Sequence, residues 1–303
     1  MIFDAHAHLF SKAFFAGLWK QKHGGGGPSE TELRGMIESA GLEAPPSDPA
    51  EHAARWVREM DSAGIDRMVV FTSLPGEQEV VAQAVRAFPE RLVGYTMVNP
   101  KAPGAPDTAR RDLQELGMKG IELFPAMHRF HPGDEDAVYP IYKLAEELGV
   151  PVFCHVGLLR VRLREILGLP SPFDISLGNP ILLQRPAADF PKVRFIIPHL
   201  GCGFLREAAF LGYQCPNVFV DTSSSNAWLK LLPERADLTS ALRLCLEAFG
   251  PDRILYGSDS STLPRGYRRD VLESLQKSME ELGMSETDRE KILGGNLAKI
   301  LAD

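Results

Sequence analysis

Two histidines two residues apart, in the opening stretch MIFDAHAHLF, are the first side chains in this sequence whose type and spacing could do chemistry. On a β-strand alternate side chains share a face, so Asp4, His6 and His8 are expected on one side of it. Neutral imidazole nitrogen is a ligand for zinc and similar divalent ions. The plain alternative is a pair of surface histidines on a fraying strand. Further along, His155 ends the apolar run in VFCHVG, His199 ends the one in RFIIPHLG, and Asp259 follows the one in RILYGSDSS. Each is a polar residue at the C-terminal end of an apolar strand, the edge where barrels of parallel strands build their active sites. Core histidines placed by chance would not all fall there, so the five residues read together as a metal site.

The elements that must position them alternate. Short apolar runs at Ile2 to His8, 66 to 73, Arg91 to Val98, Met118 to Phe124, Pro151 to Val156, Val193 to His199, Asn217 to Asp221 and Arg253 to Ser258 read as eight strands. All are apolar enough to be buried on both faces, as parallel strands flanked by helices must be. Amphipathic segments at Glu77 to Phe88, Asp107 to Leu116, Glu135 to Leu148, Pro180 to Phe190, Phe204 to Tyr213, Asp237 to Phe249 and Arg268 to Leu282 read as helices. Gly117, Gly149 and Gly283 stand just past three of their ends. This alternation predicts an α/β fold, a (β/α)8 TIM barrel with an insertion after the first strand. An open dinucleotide-binding sheet would want a Gly-rich turn directly after an early strand, and none is present. The run Gly24 to Gly27 lies instead inside a long segment, Phe10 to about Pro49, expected as a loop or cap with the glycines as a hinge. Phe14, Phe15 and Trp19 in it could cover the barrel mouth or simply pack.

A chain of 303 residues suits one barrel plus insertions, so residues 1–303 are read as a single domain with 10–49 as the cap. A formal charge of −7 leaves no basic surplus for neutralising phosphates, which argues against nucleic-acid and anionic-membrane partners. The N-terminus has neither a basic nor a long apolar leader, and no apolar run approaches the ~20 residues of a membrane helix. Cys154, Cys202, Cys215 and Cys245 are widely spaced, without a CxxC pair, and read as reduced thiols of a cytoplasmic protein.

The pieces DAHAHLF, GMKGIELFP, FCHVG, GNPILLQRPAADFPKVRFIIPHLGCG, ILYGSDSS and GGNLAKIL, running from Phe3 to Leu301, resemble the amidohydrolase superfamily, and within it the amidohydrolase-related (type 2) branch. The resemblance implies one divalent metal held by His6, His8, His155 and Asp259, with His199 placed to hydrogen-bond the metal-bound water or the substrate. Many members carry a strand-four lysine that bridges two metals. Here Glu122 stands in that place and Lys119 is at the wrong end of the strand, so a mononuclear site is expected, with Glu122 as a bridging ligand the alternative and a buried carboxylate its plain reading. Zinc is the first expectation for the ion, with manganese or iron also suited to such ligands.

The mechanism this implies is a water made acidic by the metal, its pKa lowered from ~15.7 toward ~7. Asp259 would take its proton and His199 would polarise the carbonyl or serve the leaving group. Asp4 is expected to support a histidine from behind the ligand face. Arg160, Arg265 and His128 lie on the loops that rim the barrel mouth, and arginine grips carboxylates, so the expected substrate is a small organic acid. The expected reaction is hydrolysis of an ester, lactone or amide. Non-oxidative decarboxylation of an aromatic or unsaturated acid is the alternative that the family branch implies, and a non-catalytic binding barrel is a second. A homodimer is the expected assembly.

Overall fold

Eight parallel strands pair in chain order into one sheet: β1 (Phe3–His8), β2 (Arg67–Phe71), β3 (Leu92–Val98), β4 (Gly120–Leu123), β5 (Val152–Cys154), β6 (Phe195–Ile197), β7 (Val218–Asp221) and β8 (Ile254–Leu255). The sheet curls until its ends meet. Ala5 donates its N–H to Tyr256 O, His8 to Ser260 O and Asp259 to His6 O, at 2.8, 2.7 and 2.8 Å, which joins β8 and the residues after it to β1. The computed structural model describes residues 1–224, 226–232 and 236–302; position 303, the last of the expected domain, lies outside the described residues.

The helices are α1 (Lys12–His23), α2 (Glu30–Ser39), α3 (Pro49–Ala63), α4 (Gln78–Ala87), α5 (Ala105–Gln114), α6 (Pro125–His128), α7 (Tyr139–Leu148), α8 (Arg162–Ile166), α9 (Gln184–Asp189), α10 (Leu205–Gln214), α11 (Leu238–Phe249), α12 (Arg269–Glu281), α13 (Glu286–Glu290) and α14 (Asn296–Ala302). The expected strands and the seven expected helices all appear, with ends shifted by a few residues. Helix α3 carries full punctuation, with the Asp48 side chain accepting from Ala50 N–H, Pro49 at its first position and Gly64 left-handed after it. The sequence reading names no helix before Glu77, so α1, α2 and α3 are additions.

Two apolar layers hold the barrel. An inner plug of Phe3, Ala5, Val69, Phe71, Val93, Tyr95, Phe153, Ile196 and Leu255 is closed by Leu297 and Ile300 of α14. Outside, the other strand faces pack on the helices. A third, smaller cluster joins Phe14, Phe15 and Leu18 of α1 to Leu33, Met36 and Ile37 of α2, and both to Leu167 and Leu169 after α8. The segment between β1 and α3 is therefore two packed helices lying against the loop that follows β5. Phe14 and Phe15 pack within it, and Gly24 ends α1 in the left-handed conformation.

Strand β1 departs from simple alternation. Its register with β2 slips between Asp4 and Ala7, where two β1 residues oppose one of β2. Such a bulge inverts facing. Phe3 and Ala5 point into the inner plug, and past the bulge the His6 ring packs edge-on against the inner rings of Phe71 and Phe153. Asp4 does not share the face of His6 and His8, contrary to the alternation argument.

Gly120 has no room for a side chain, since a Cβ there would lie 2.6 Å from the ring of Tyr95, itself fully buried. Gly120→Ala is expected to cost about 1–3 kcal/mol of stability by overpacking, read as a lower urea midpoint with an unchanged slope.

Candidate active site

At the C-terminal edge of the barrel, His6, His8 and Asp259 bring one donor atom each to within 4.8 Å of one another. Asp259 Oδ1 is 3.7 Å from His8 Nε2 and 4.0 Å from His6 Nε2. His6 is buried, and its Nε2 has no hydrogen-bond partner. An orphaned buried nitrogen beside a second imidazole and a carboxylate is a donor set that fits a divalent cation.

Each donor is aimed by a neighbour. His6 Nδ1–H donates to Asp221 Oδ2 at 2.9 Å, which leaves the Nε2 lone pair facing the barrel axis. His8 Nδ1 meets Ser73 Oγ at 2.9 Å, and the ring stacks on Phe10 at 5.1 Å. Asp259 and His199 both have left-handed backbones, φ 57° and 59°, an uncommon conformation for such residues that often marks functional sites. Backbone bonds restrain them: Asp259 N–H donates to His6 O at 2.8 Å, and His199 N–H to Asp221 Oδ1 at 2.8 Å. Gly257 lets the chain pass, since a Cβ there would stand 3.0 Å from His6 Cβ and 2.9 Å from Ser223 Cβ.

The hydrogen-bond network assigns the proton positions around Asp221. Its carboxyl is held down at about 2: burial pushes it up, but the charge and hydrogen bond of His6, then His199 and Ser223, outweigh that. Ionised, it accepts from His6 and from Ser223 Oγ–H, the latter at 2.5 Å. Ser223 Oγ then accepts from His199 Nδ1–H at 2.7 Å, so His199 Nε2 is left as an acceptor. That nitrogen faces His155 Nε2 at 3.2 Å. Burial, and then the other histidines, hold the proton affinity of His155 well below the usual range; burial and His6 lower that of His199. His8 is pushed down to about 3 by burial and His6, against the pull of Asp259. Burial lowers His6 as well, but Asp221, Asp259 and Asp4 outweigh it and raise its value.

The structure brings His6, His8 and Asp259 into one group, with His199 stacked on His6 at 4.9 Å. His155 meets His199 and is not in the tight trio. Asp4 is fully buried on the other face of β1. It accepts from His6 N–H and Ser258 N–H, both at 2.9 Å, and from Tyr267 OH at 2.8 Å, so it fastens β1 to the chain after β8 rather than supporting an imidazole. Glu122 is fully buried with both carboxyl oxygens unpartnered, and burial, then Asp259 and Glu77, hold its pKa well above the carboxylate range. It joins none of the potential metal groups among the described residues. Arg160 is 81% exposed and engaged bidentately by Glu165. Arg265 bonds Ser261 Oγ and feels the charge of Asp259, and His128 has a buried, unpartnered Nδ1. Asp221, Ser223 and Ser73 were missed from sequence. Asp221 had a signal, a polar residue ending the apolar run VFVD, as His155 and His199 end theirs.

The profile of the amidohydrolase family matches residues 3–302. The chain belongs to the amidohydrolase family. A 2-keto-4-carboxy-3-hexenedioate hydratase from a Sphingobium species is 26% identical to this amidohydrolase over 247 residues, 73% of this chain and 69% of the relative. Among solved structures, an uncharacterized TIM-barrel protein from Bordetella bronchiseptica superposes with a TM-score of 0.68 at 21% identity, covering 99% of this chain and 98% of the other. A 5-carboxyvanillate decarboxylase from Novosphingobium aromaticivorans, with manganese bound, superposes with a TM-score of 0.64 at 18% identity, covering 99% and 96%. The two superpositions establish the barrel fold. The family is one of metal-dependent enzymes, and no helix among the described residues is long and apolar enough to cross a membrane.

Asp221→Asn is expected to weaken metal binding ~10- to 100-fold, because the His6 ring loses the acceptor that sets its tautomer; competition with a chromogenic chelator measures it. A second test concerns Asp4, whose carboxyl is pushed by burial from 3.8 up to about 6 despite its hydrogen bonds. Between those values the folded protein holds a proton that the unfolded chain has lost, so this group's contribution to stability falls as pH rises through the window. Asp4→Asn should therefore gain relative to the unsubstituted protein by an order of 3 kcal/mol between pH 4 and 7, seen in denaturant melts of the metal-free proteins.

Proposed function

We propose that this amidohydrolase uses one divalent ion, zinc first and manganese or iron as alternatives, to hydrolyse an ester, lactone or amide in a small carboxylated molecule. The observation that carries the reading is the convergence of His6, His8 and Asp259 on one point with the buried Nε2 of His6 left without a partner. In this reading His155 would complete the ligand set through Nε2, with the ring's single hydrogen carried on Nδ1, which has no other partner, instead of being shared with His199. The bound ion supplies Lewis acidity, making a water acidic enough to lose a proton near neutral pH.

Asp259, 34% exposed beside the buried His6, is the carboxylate that accepts the water's proton and returns it to the leaving group. His199 Nε2, an acceptor in the resting network, takes a hydrogen bond from the nucleophile or substrate, and Ser223 holds its other nitrogen. Arg265 and the neutral His128 are the rim groups suited to a substrate carboxylate and its neighbours. Burial pushes His128 down to about 4, so it binds as a neutral imidazole.

A second reading is favoured by the hydratase relative: the same activated water adding across a carbon–carbon double bond of an unsaturated acid. The four cysteines, none in a disulfide and all buried, accord with a cytoplasmic setting, and a homodimer is the proposed assembly.

Metal analysis, followed by a panel of lactones, esters, amides and unsaturated or aromatic acids scored for ring opening, hydration and CO2, tests the reading. Activity should vanish on chelation and return with zinc or manganese. Asp259→Asn should lower kcat/KM by ~10²- to 10⁴-fold. Release of CO2 without consumption of water would overturn hydrolysis in favour of decarboxylation.

A further inference from the structure

The loop after β2 carries a buried carboxylate outside the metal site that is saturated with donors from two different loops. Glu77 is 1% exposed. Its Oε1 accepts from Ser11 Oγ–H at 2.5 Å and from Ser11 N–H at 3.2 Å. Its Oε2 accepts from Ser73 N–H at 2.8 Å and Leu74 N–H at 3.3 Å. Ser11 begins α1, with its Oγ accepting from Phe14 N–H. Ser73 is the residue whose Oγ meets His8 Nδ1 at 2.9 Å. One side chain thus clips the first turn of the α1–α2 cap to the serine that orients a ligand imidazole.

We propose that Glu77 is a positioning residue for His8, acting through Ser73, and that it couples the docking of α1 to the aim of His8 Nε2. Ser73 can hold the His8 ring only while its own backbone is fixed, and the fixing atom is Glu77 Oε2. The other oxygen of the same carboxyl is occupied by Ser11, so lifting α1 frees the carboxylate to turn. A buried carboxylate with four donors has no cheaper arrangement than the one it occupies, because each donor left unmet would be stranded away from water. The inference rests on the metal-site reading for the identity of the ligand, but the geometry of His8 can be followed without metal.

Two measurements test it on the full chain. Glu77→Gln puts an amide NH2 where one pair of donors points. Zinc affinity by chelator competition should fall ~10- to 100-fold in Glu77→Gln and in Ser73→Ala, and the double variant should bind no more weakly than Ser73→Ala. Affinity within twofold of the unsubstituted protein in Glu77→Gln, even with a lowered melting temperature, or losses that multiply in the double variant, would overturn the proposal. Histidine-selective ¹⁵N NMR of the metal-free proteins supplies the second readout. His8 should show the Nδ1–H tautomer in the unsubstituted protein and a mixture in Glu77→Gln; identical spectra overturn the proposal. If the unsubstituted protein binds no zinc or manganese, the metal reading falls while these spectra still decide the role of Glu77. Ser11→Ala, which cuts only the cap side, should also weaken zinc binding and disturb the His8 resonance, and no change in either refutes the coupling to α1.

Discussion

The site depends on the seam where the barrel closes. Asp259 has its position because its N–H bonds to His6 O, and His6 has its position because the N–H groups of His6 and Ser258 share one oxygen of Asp4. A side chain from the first strand and one from beyond the last, 253 residues apart in sequence, become neighbours only when the sheet returns on itself. The bulge in β1 belongs to the same constraint. It lets Phe3 and Ala5 fill the inner plug and still turns His6 and His8 inward above it, so one strand serves both the apolar floor and the candidate metal site.

Above that seam the chemistry is set by hydrogen-bonded carboxylates. Asp221 accepts from His6, from Ser223 and from the backbone of His199, so a single ionised group fixes the tautomer of one imidazole, the rotamer of a serine and the backbone of a second histidine. Glu77 does the corresponding work on the other side of the mouth. The left-handed backbones of His199 and Asp259 are held by their N–H groups, which bond Asp221 Oδ1 and His6 O respectively.

Two loops that follow strands β1 and β5 meet. Helices α1 and α2 share an apolar cluster with the residues after α8, and Arg164 Nη1–H bonds Gln21 Oε1 at 2.7 Å across the junction. Four of the five expected site residues are largely buried, while Asp259 keeps a third of its surface. Exclusion of bulk water strengthens every charge interaction at the site.

The sequence by itself determined the fold class and the chemical inventory. Eight doubly buried apolar runs alternating with amphipathic helices admit few architectures, and polar residues ending apolar strands named His6, His8, His155, His199 and Asp259 before any coordinates. Glu122 and Asp4 were visible as carboxyls, but not their surroundings. Only the tertiary structure decided which face Asp4 occupies, because a bulge is a mismatch between two strands and leaves no mark in one. It also decided that Asp221, Ser223, Ser73 and Glu77 set the orientations, since those contacts join residues far apart in sequence. Sequence placed Arg160 and Arg265 alike on loops after strands, and only the structure gave their partners, Glu165 for one and Ser261 for the other. Local pattern records which residue types are present and which way regular elements face; orientation and partnership follow from closure, which is a property of the whole chain.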